Sequence, residues 1–94
     1  MVLTFEWDEE KAEINRRKHG VSFEEARTVF GDPLSITVGD VPHSMREHRY
    51  IDVGLSSEGR LLVVVYTERG EVIRLISSRD ATRVERKTYE EGHL

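Results

Sequence analysis

Cysteine is absent from this 94-residue chain. A disulfide framework, a thiolate metal site and a cysteine nucleophile are therefore all excluded. Long apolar runs are missing too: the longest, Leu61 to Tyr66, is far too short to span a bilayer. The N-terminus reads Met-Val-Leu-Thr-Phe-Glu-Trp-Asp and lacks the basic start and apolar core of a signal peptide, so a cytoplasmic protein is expected. No internal repeat, low-complexity tract or linker interrupts the chain. Its length holds one core and not two, which makes residues 1–94 a single domain.

Cofactor and metal signatures are equally scarce. His19, His43, His48 and His93 form no HxH or HExxH spacing, and only His43 and His48, five apart, give a weak metal signal. There is no GxGxxG, no P-loop and no GxSxG elbow, which argues against nucleotide-cofactor chemistry. No metal and no cofactor are expected.

What the chain does have is charge, unevenly spread. The net charge is −4. Residues 1–32 carry eight acids and five bases, and residues 33–60 carry four acids and three bases. Residues 61–94 carry six of each, yet Arg69, Arg74, Arg79, Arg83, Arg86 and Lys87 face only Glu71, Asp80 and Glu85 within their own stretch. Arginine is the planar, permanently charged donor suited to phosphate. The same residues also suit a solvated charged face, and composition does not separate the two.

The pattern of punctuation predicts an α+β fold. A short strand at Thr4 to Trp7 leads into a helix capped by Asp8, with Glu9 and Glu10 in its first turn. Arg16, Arg17 and Lys18 occupy its last turn, and Gly20 ends it. Ser22-Phe-Glu-Glu25 reads as a capping box for a second helix, whose stripe is Phe23, Ala26, Val29 and Phe30. Gly31-Asp32-Pro33 stops it. Leu34 to Val38 is a candidate edge strand, followed by a polar loop from Gly39 to Met45. His48 to Leu55, Leu61 to Thr67 and Val72 to Ser78 are longer strands joined by glycine-bearing hairpin turns. Asp80 is the expected cap of a last helix, Ala81 to Glu91, with Ala81, Val84 and Thr88 inward. The order β-α-α-β-β-β-β-α predicts an antiparallel meander with helices packed on it.

Three features fit this plan poorly. The first helix has only Ala12 and Ile14 as aliphatic residues, on different faces, while Asn15, Lys18 and His19 share one side. Strict alternation in the last strand puts Val72, Arg74, Ile76 and Ser78 on one face and Ile73, Leu75, Ser77 and Arg79 on the other. Arg74 then needs a carboxylate, for which Asp52 or Glu47 are candidates, and Arg79 at the strand end suits an anion. Lastly, His43, Ser44, Glu47 and Arg49 gather chemically capable groups within seven positions. Attack of a ribose 2′-OH on its phosphate needs a base, an acid and cations. His43 or Glu47, with Arg49 and Arg79, could supply all three without a metal, but on the residues alone a loop capped by Ser44 with an ordinary Glu–Arg pair explains the cluster better.

These residues carry a resemblance. Phe5-Glu-Trp-Asp-Glu-Glu-Lys-Ala12, Asn15, Lys18-His-Gly-Val-Ser-Phe-Glu-Glu-Ala26, Val29-Phe30 and Asp32-Pro33 resemble the BrnT family. So do His43-Ser44, Glu47, Arg49, Gly59-Arg60, Ile76-Ser-Ser-Arg79, Ala81-Thr82, Glu85 and Tyr89, with Ser78 standing where the family usually has alanine. The resemblance implies a RelE-like fold and a ribonuclease toxin of a type II toxin–antitoxin pair that halts translation. It further implies a BrnA-like, DNA-binding antitoxin that neutralises the toxin, the complex repressing its own operon. Operator DNA is then reached only through the antitoxin. His43, Glu47, Arg49 and Arg79 become the expected catalytic set, and Lys18, Arg60 and Arg69 the expected RNA phosphate contacts. The competing expectations are a non-catalytic protein- or RNA-binding module, which the net negative charge favours, and a histidine-based metallohydrolase.

Overall fold

The first helix forms because both ends are satisfied by side chain or conformation rather than by an apolar stripe. In the computed structural model, which describes residues 3–39 and 48–92, α1 spans Glu9–His19. The Asp8 carboxylate accepts the Lys11 N–H at 3.0 Å. Gly20 sits at φ 71° and donates its N–H to the Arg16 carbonyl at 2.8 Å, a left-handed stop that disfavours a side chain. A short strand, β1 (Thr4–Glu6), precedes it. Next, α2 is a single turn, Phe23–Ala26, that tightens into a 3-10 helix over Arg27–Gly31. Ser22 Oγ accepts the Glu25 N–H at 3.0 Å. Only that half of the predicted capping box forms, since the Glu25 carboxylate is drawn away to Arg60 and Ser56.

Four further strands follow: β2 (Ile36–Gly39), β3 (Arg49–Leu55), β4 (Leu61–Arg69) and β5 (Val72–Asp80). The sheet order is β1-β5-β4-β3-β2. β2 to β5 are an antiparallel meander, as predicted, but β1 lies parallel to β5. The final helix, α3 (Arg83–Glu91), is capped by Thr82, not Asp80. Asp80 is the last strand residue, and Thr82 with Glu85 makes a complete capping box.

One sheet face carries the core. Leu62, Val64 and Tyr66 of β4 and Ile73 and Leu75 of β5 pack against Val21, Phe23, Ala26 and Val29. Phe5 meets Phe30 edge-on at 5.1 Å between ring centroids, and Trp7 meets Phe23 at 5.9 Å. α1 and α2 thus cover this face, while α3 lies over one end of the opposite face. Ile36 and Val53 are paired there, and an added Cβ at Gly92 would touch Ile36 Cδ1. The inward side of α3 is Glu85 and Tyr89, with Ala81 just before the helix, whereas Val84 is 74% exposed. The expected inner face was therefore rotated, because polar anchors set the helix: Tyr89 donates its hydroxyl to Asp32 Oδ2 at 2.7 Å. The same oxygen accepts the Leu55 N–H at 2.8 Å.

A β-bulge reshapes the last strand. Tyr66 pairs with Leu75 and Val65 with Ser77, which leaves Ile76 as the extra residue. Alternation therefore reverses beyond it. Ser78 joins Ile73 and Leu75 on the core face, and Arg79 joins Arg74 on the other, contrary to strict period-2 reading.

Asn15, expected on a polar helix face, is buried. Its amide donates to the Ser78 carbonyl at 2.9 Å and to the Val21 carbonyl at 3.0 Å, and its Oδ1 accepts the Ser78 N–H at 3.0 Å. The side chain thereby acts as an extra strand residue on the outer edge of β5, beyond the reach of β1. It also pins the α1–α2 turn to the sheet. Gly54 marks a second tight contact, where an added Cβ would lie 2.7 Å from Val29 Cγ1 and 2.9 Å from Ser35 Cβ.

Two stability effects are expected in urea denaturation. Asn15→Leu leaves two carbonyls and one N–H buried and unpaired, and should cost roughly 3–5 kcal/mol, a large share of a small domain's stability. Asn15→Asp should be no milder, since it presents a carboxylate to two carbonyl oxygens. Gly54→Ala forces overlap with packed carbon atoms and should cost about 1–3 kcal/mol.

Candidate active site

The sheet face turned away from α1 and α2 gathers the arginines. Arg49 stands opposite Thr67, and Thr67 opposite Arg74, so the three form a row across β3, β4 and β5. With about 4.8 Å between strands, the Cα atoms of Arg49 and Arg74 are roughly 10 Å apart. Arg74 Nη1 lies 2.6 Å from Glu6 Oε2 on the adjacent β1, and Arg69 reaches the same oxygen at 3.8 Å. The carboxylate partner of Arg74 is thus Glu6. Asp52 lies on the opposite face, where it accepts the Tyr66 hydroxyl at 2.9 Å, and Glu47 lies outside the described residues. Between the arginines, the Thr67 hydroxyl is buried without a hydrogen-bond partner.

Arg79 sits further along β5, opposite Val63. Four residues of β4 separate that row from Thr67, roughly 13 Å. Its Nη1 and Nη2 donate to Glu85 Oε1 and Oε2 at 2.7 and 2.8 Å, a two-pronged pair. Thr82 N–H also donates to Glu85 Oε1 at 2.8 Å. Chiefly through the Arg79 guanidinium, the Glu85 carboxyl is held down at about 2. At neutral pH Glu85 is therefore an anion that orients Arg79, and a poor proton donor. The Arg79 side chain remains 41% exposed, with donors directed elsewhere than Glu85 still available.

Between the two arginine positions the face is built from Ile51, Val65 and Ser77, an apolar floor with one hydroxyl. Cations at both ends of such a floor can hold successive phosphates of a single strand. The chain also matches known proteins. The family model described as "Ribonuclease toxin, BrnT, of type II toxin-antitoxin system" matches residues 7–85. The chain belongs to the BrnT family. Among solved structures, the 1.1 Å crystal structure of the Brucella abortus ribonuclease toxin BrnT is similar to it with a TM-score of 0.67. The two share 20% identity over 87% of this chain and 100% of that one, a likeness of fold. No curated protein sequence matches.

Within this BrnT-family fold the predicted site residues separate. Arg49, Arg69 and Arg79 share the open sheet face. Arg60 does not: its Nε donates to Glu25 Oε2 at 2.9 Å, its Nη2 bonds Glu25 Oε1, and Nη2 also reaches the Gly20 carbonyl at 3.1 Å. Ser56 Oγ donates to the same buried carboxylate at 2.7 Å. Arg60, with lesser help from Ser56, holds the Glu25 carboxyl below its usual range. This network ties the β3–β4 turn to the α1–α2 junction. Lys18 lies elsewhere again, in a groove beside α1. His43 and Glu47, with Ser44, are outside the described residues. Among those described, no three His, Asp or Glu side chains converge as a metal site, and no helix is long and apolar enough to cross a membrane.

Sequence reasoning missed Glu6 and Glu85 as arginine partners. The Thr82-x-x-Glu85 box was a visible signal for the second. Nothing local signals the first, whose partner is 68 residues away.

The Glu85–Arg79 pair has a definite pH signature. The folded-state value near 2 lies below the ordinary 4.5, so the pair's stabilisation is complete above about pH 4.5 and fades as pH falls towards 2. Glu85→Gln keeps the capping box but not the charge. Urea midpoints of wild type and this variant should differ at pH 7 and converge between pH 4.5 and 2.

Proposed function

We propose that this BrnT-family chain is a metal-independent endoribonuclease that cleaves RNA on the arginine face of its sheet, within a RelE-like fold. The observation that carries this reading is the placement of Arg49 and Arg79 at opposite ends of one apolar sheet face. Arg79 is fixed in direction by Glu85. In the reaction, the ribose 2′-OH attacks its own phosphate, the 5′-oxygen leaves, and a 2′,3′-cyclic phosphate remains. Charge accumulates on the phosphoryl oxygens at the transition state, and preoriented guanidinium groups stabilise it with little reorganisation. Arg49 and Arg79 bind the scissile phosphate and its transition state, and Arg69 extends the cationic path. His43 and Glu47 share the proton transfers, one removing the 2′-OH proton and the other protonating the leaving oxygen. Arg60 is assigned to the fold, where Glu25 engages it.

In the cell, such cleavage would stop translation from the cytoplasm. A BrnA-like antitoxin would neutralise the enzyme, and the pair would repress its own operon through the antitoxin's DNA contacts. The net charge of −4 favours one rival, a non-catalytic module that acts only through partners.

A labelled RNA incubated with the purified chain in excess chelator should be cut to 2′,3′-cyclic phosphate ends. Arg79→Ala should lower the rate at least 100-fold, the scale of losing an oriented transition-state donor. Intact RNA, together with harmless expression in the absence of the antitoxin, would favour the rival module.

A further inference from the structure

The outer edge of β5 is incompletely covered. β1 stops at the Glu6–Arg74 pairing, and Asn15 takes the backbone groups of Ser78. Between these two points lies the bulged stretch Ile76–Ser77. Beside it, α1 forms the other wall of a groove of about 210 Å³. Lys11, Ile14, Lys18 and His19 line that wall, and Ile76 and Ser77 the strand side. Ile14 is 55% exposed on a helix that has little other aliphatic surface. Among the described residues no carboxylate lines the groove, although acids outnumber bases in the chain as a whole.

Two aliphatic side chains facing a cleft with lysines at its rim match the chemistry of a nucleotide. A flat base would lie against Ile14 and Ile76, and its phosphate would meet Lys18 and Lys11. The volume is below that of ordinary small-molecule pockets, which suits one nucleotide and no more. An added peptide strand suits it poorly. Asn15 and β1 leave only about two residues of edge to pair with, too short a ladder to hold a strand.

We propose that the α1–β5 groove binds a single nucleotide of the RNA flanking the cleavage position. This rests on the ribonuclease reading above. Ser77 shares its sheet face with Arg79 and lies two residues away, about 7 Å. A strand held at Arg79 therefore continues over the edge of β5 into the groove. Lys18 keeps the phosphate-contact role expected from its sequence position, and Ile14 and Ile76 become base contacts.

The test uses the whole chain, ¹⁵N-labelled, titrated with uridine 3′-monophosphate and, separately, adenosine 5′-monophosphate and inorganic phosphate. Either nucleotide should shift the amides of residues 11–19 and 76–77, and inorganic phosphate should shift them more weakly. Lys18→Glu, a substitution at an exposed position, should abolish the response. In cleavage of a hexanucleotide it should reduce kcat/KM about tenfold, mostly through KM. Absent shifts in the groove overturn the proposal, as do equal shifts with inorganic phosphate alone or an unchanged hexanucleotide KM in Lys18→Glu. Groove shifts in a chain that cuts no RNA would retain the nucleotide site and reject the ribonuclease reading. Cleavage with no groove shifts would do the reverse.

Discussion

A single amide side chain holds the two halves of this molecule in register. Asn15 comes from a helix with almost no apolar surface, and it closes three hydrogen bonds to backbone that would otherwise be buried and unpaired. Hydrophobic burial alone would leave α1 free to slide along the sheet, since Ala12 is its only aliphatic residue packed on the core. The amide removes that freedom because its donor and acceptor must meet both a strand N–H and a strand carbonyl. It also defines where β5 stops being available for pairing, and so creates the end of the groove beside it. Fold and surface thus share one cause.

A second regularity concerns arginine. Arg60, Arg74 and Arg79 each meet a glutamate from another element: Glu25, Glu6 and Glu85. The Glu25–Arg60 pair has its carboxylate buried with three hydrogen bonds donated to it, and Arg60 also reaches the Gly20 carbonyl, so it acts as a rivet between loops. The other two pairs sit on the open sheet face and keep long side chains pointing in one direction. An acidic protein can then present guanidinium groups without a large positive field, because the adjoining carboxylates carry the compensating charge. Specific contact replaces bulk attraction.

Much of the fold was legible in the residues. Asp8 and Gly20 bounded the first helix, Ser22 started the second, and the glycine-bearing turns marked the hairpins. These are local signals, decided by a few neighbouring side chains and backbone angles. The errors came where distant partners decide. Nothing in Ile76 announces a bulge, so the predicted face of Arg79 was reversed until the β4 register was known. Val84 looked like the inner side of the last helix, but the bonds of Tyr89 to Asp32 and of Glu85 to Arg79 turn the helix another way. Asn15 and Glu6 could be seen only as polar residues, because their partners are 63 and 68 residues off. For the site, Arg49, Arg60, Arg69, Arg74 and Arg79 were visible as candidates. Their division into a sheet-face set and the rivet Arg60 was not, since it depends on which glutamate each one finds.

The parallel pairing of β1 with β5 has a consequence in time. The first strand to be synthesised docks on the last, with Thr4 beside Val72 and Glu6 beside Arg74. Contacts so remote in sequence are slow to form and cannot form at all on a growing chain. While β5 is still within the ribosome, the sheet lacks its edge, Asn15 has no strand to grip and Arg74 and Arg79 are not yet placed. The sheet face that carries Arg74 and Arg79 is therefore assembled only after β5 has emerged and β1 has docked on it.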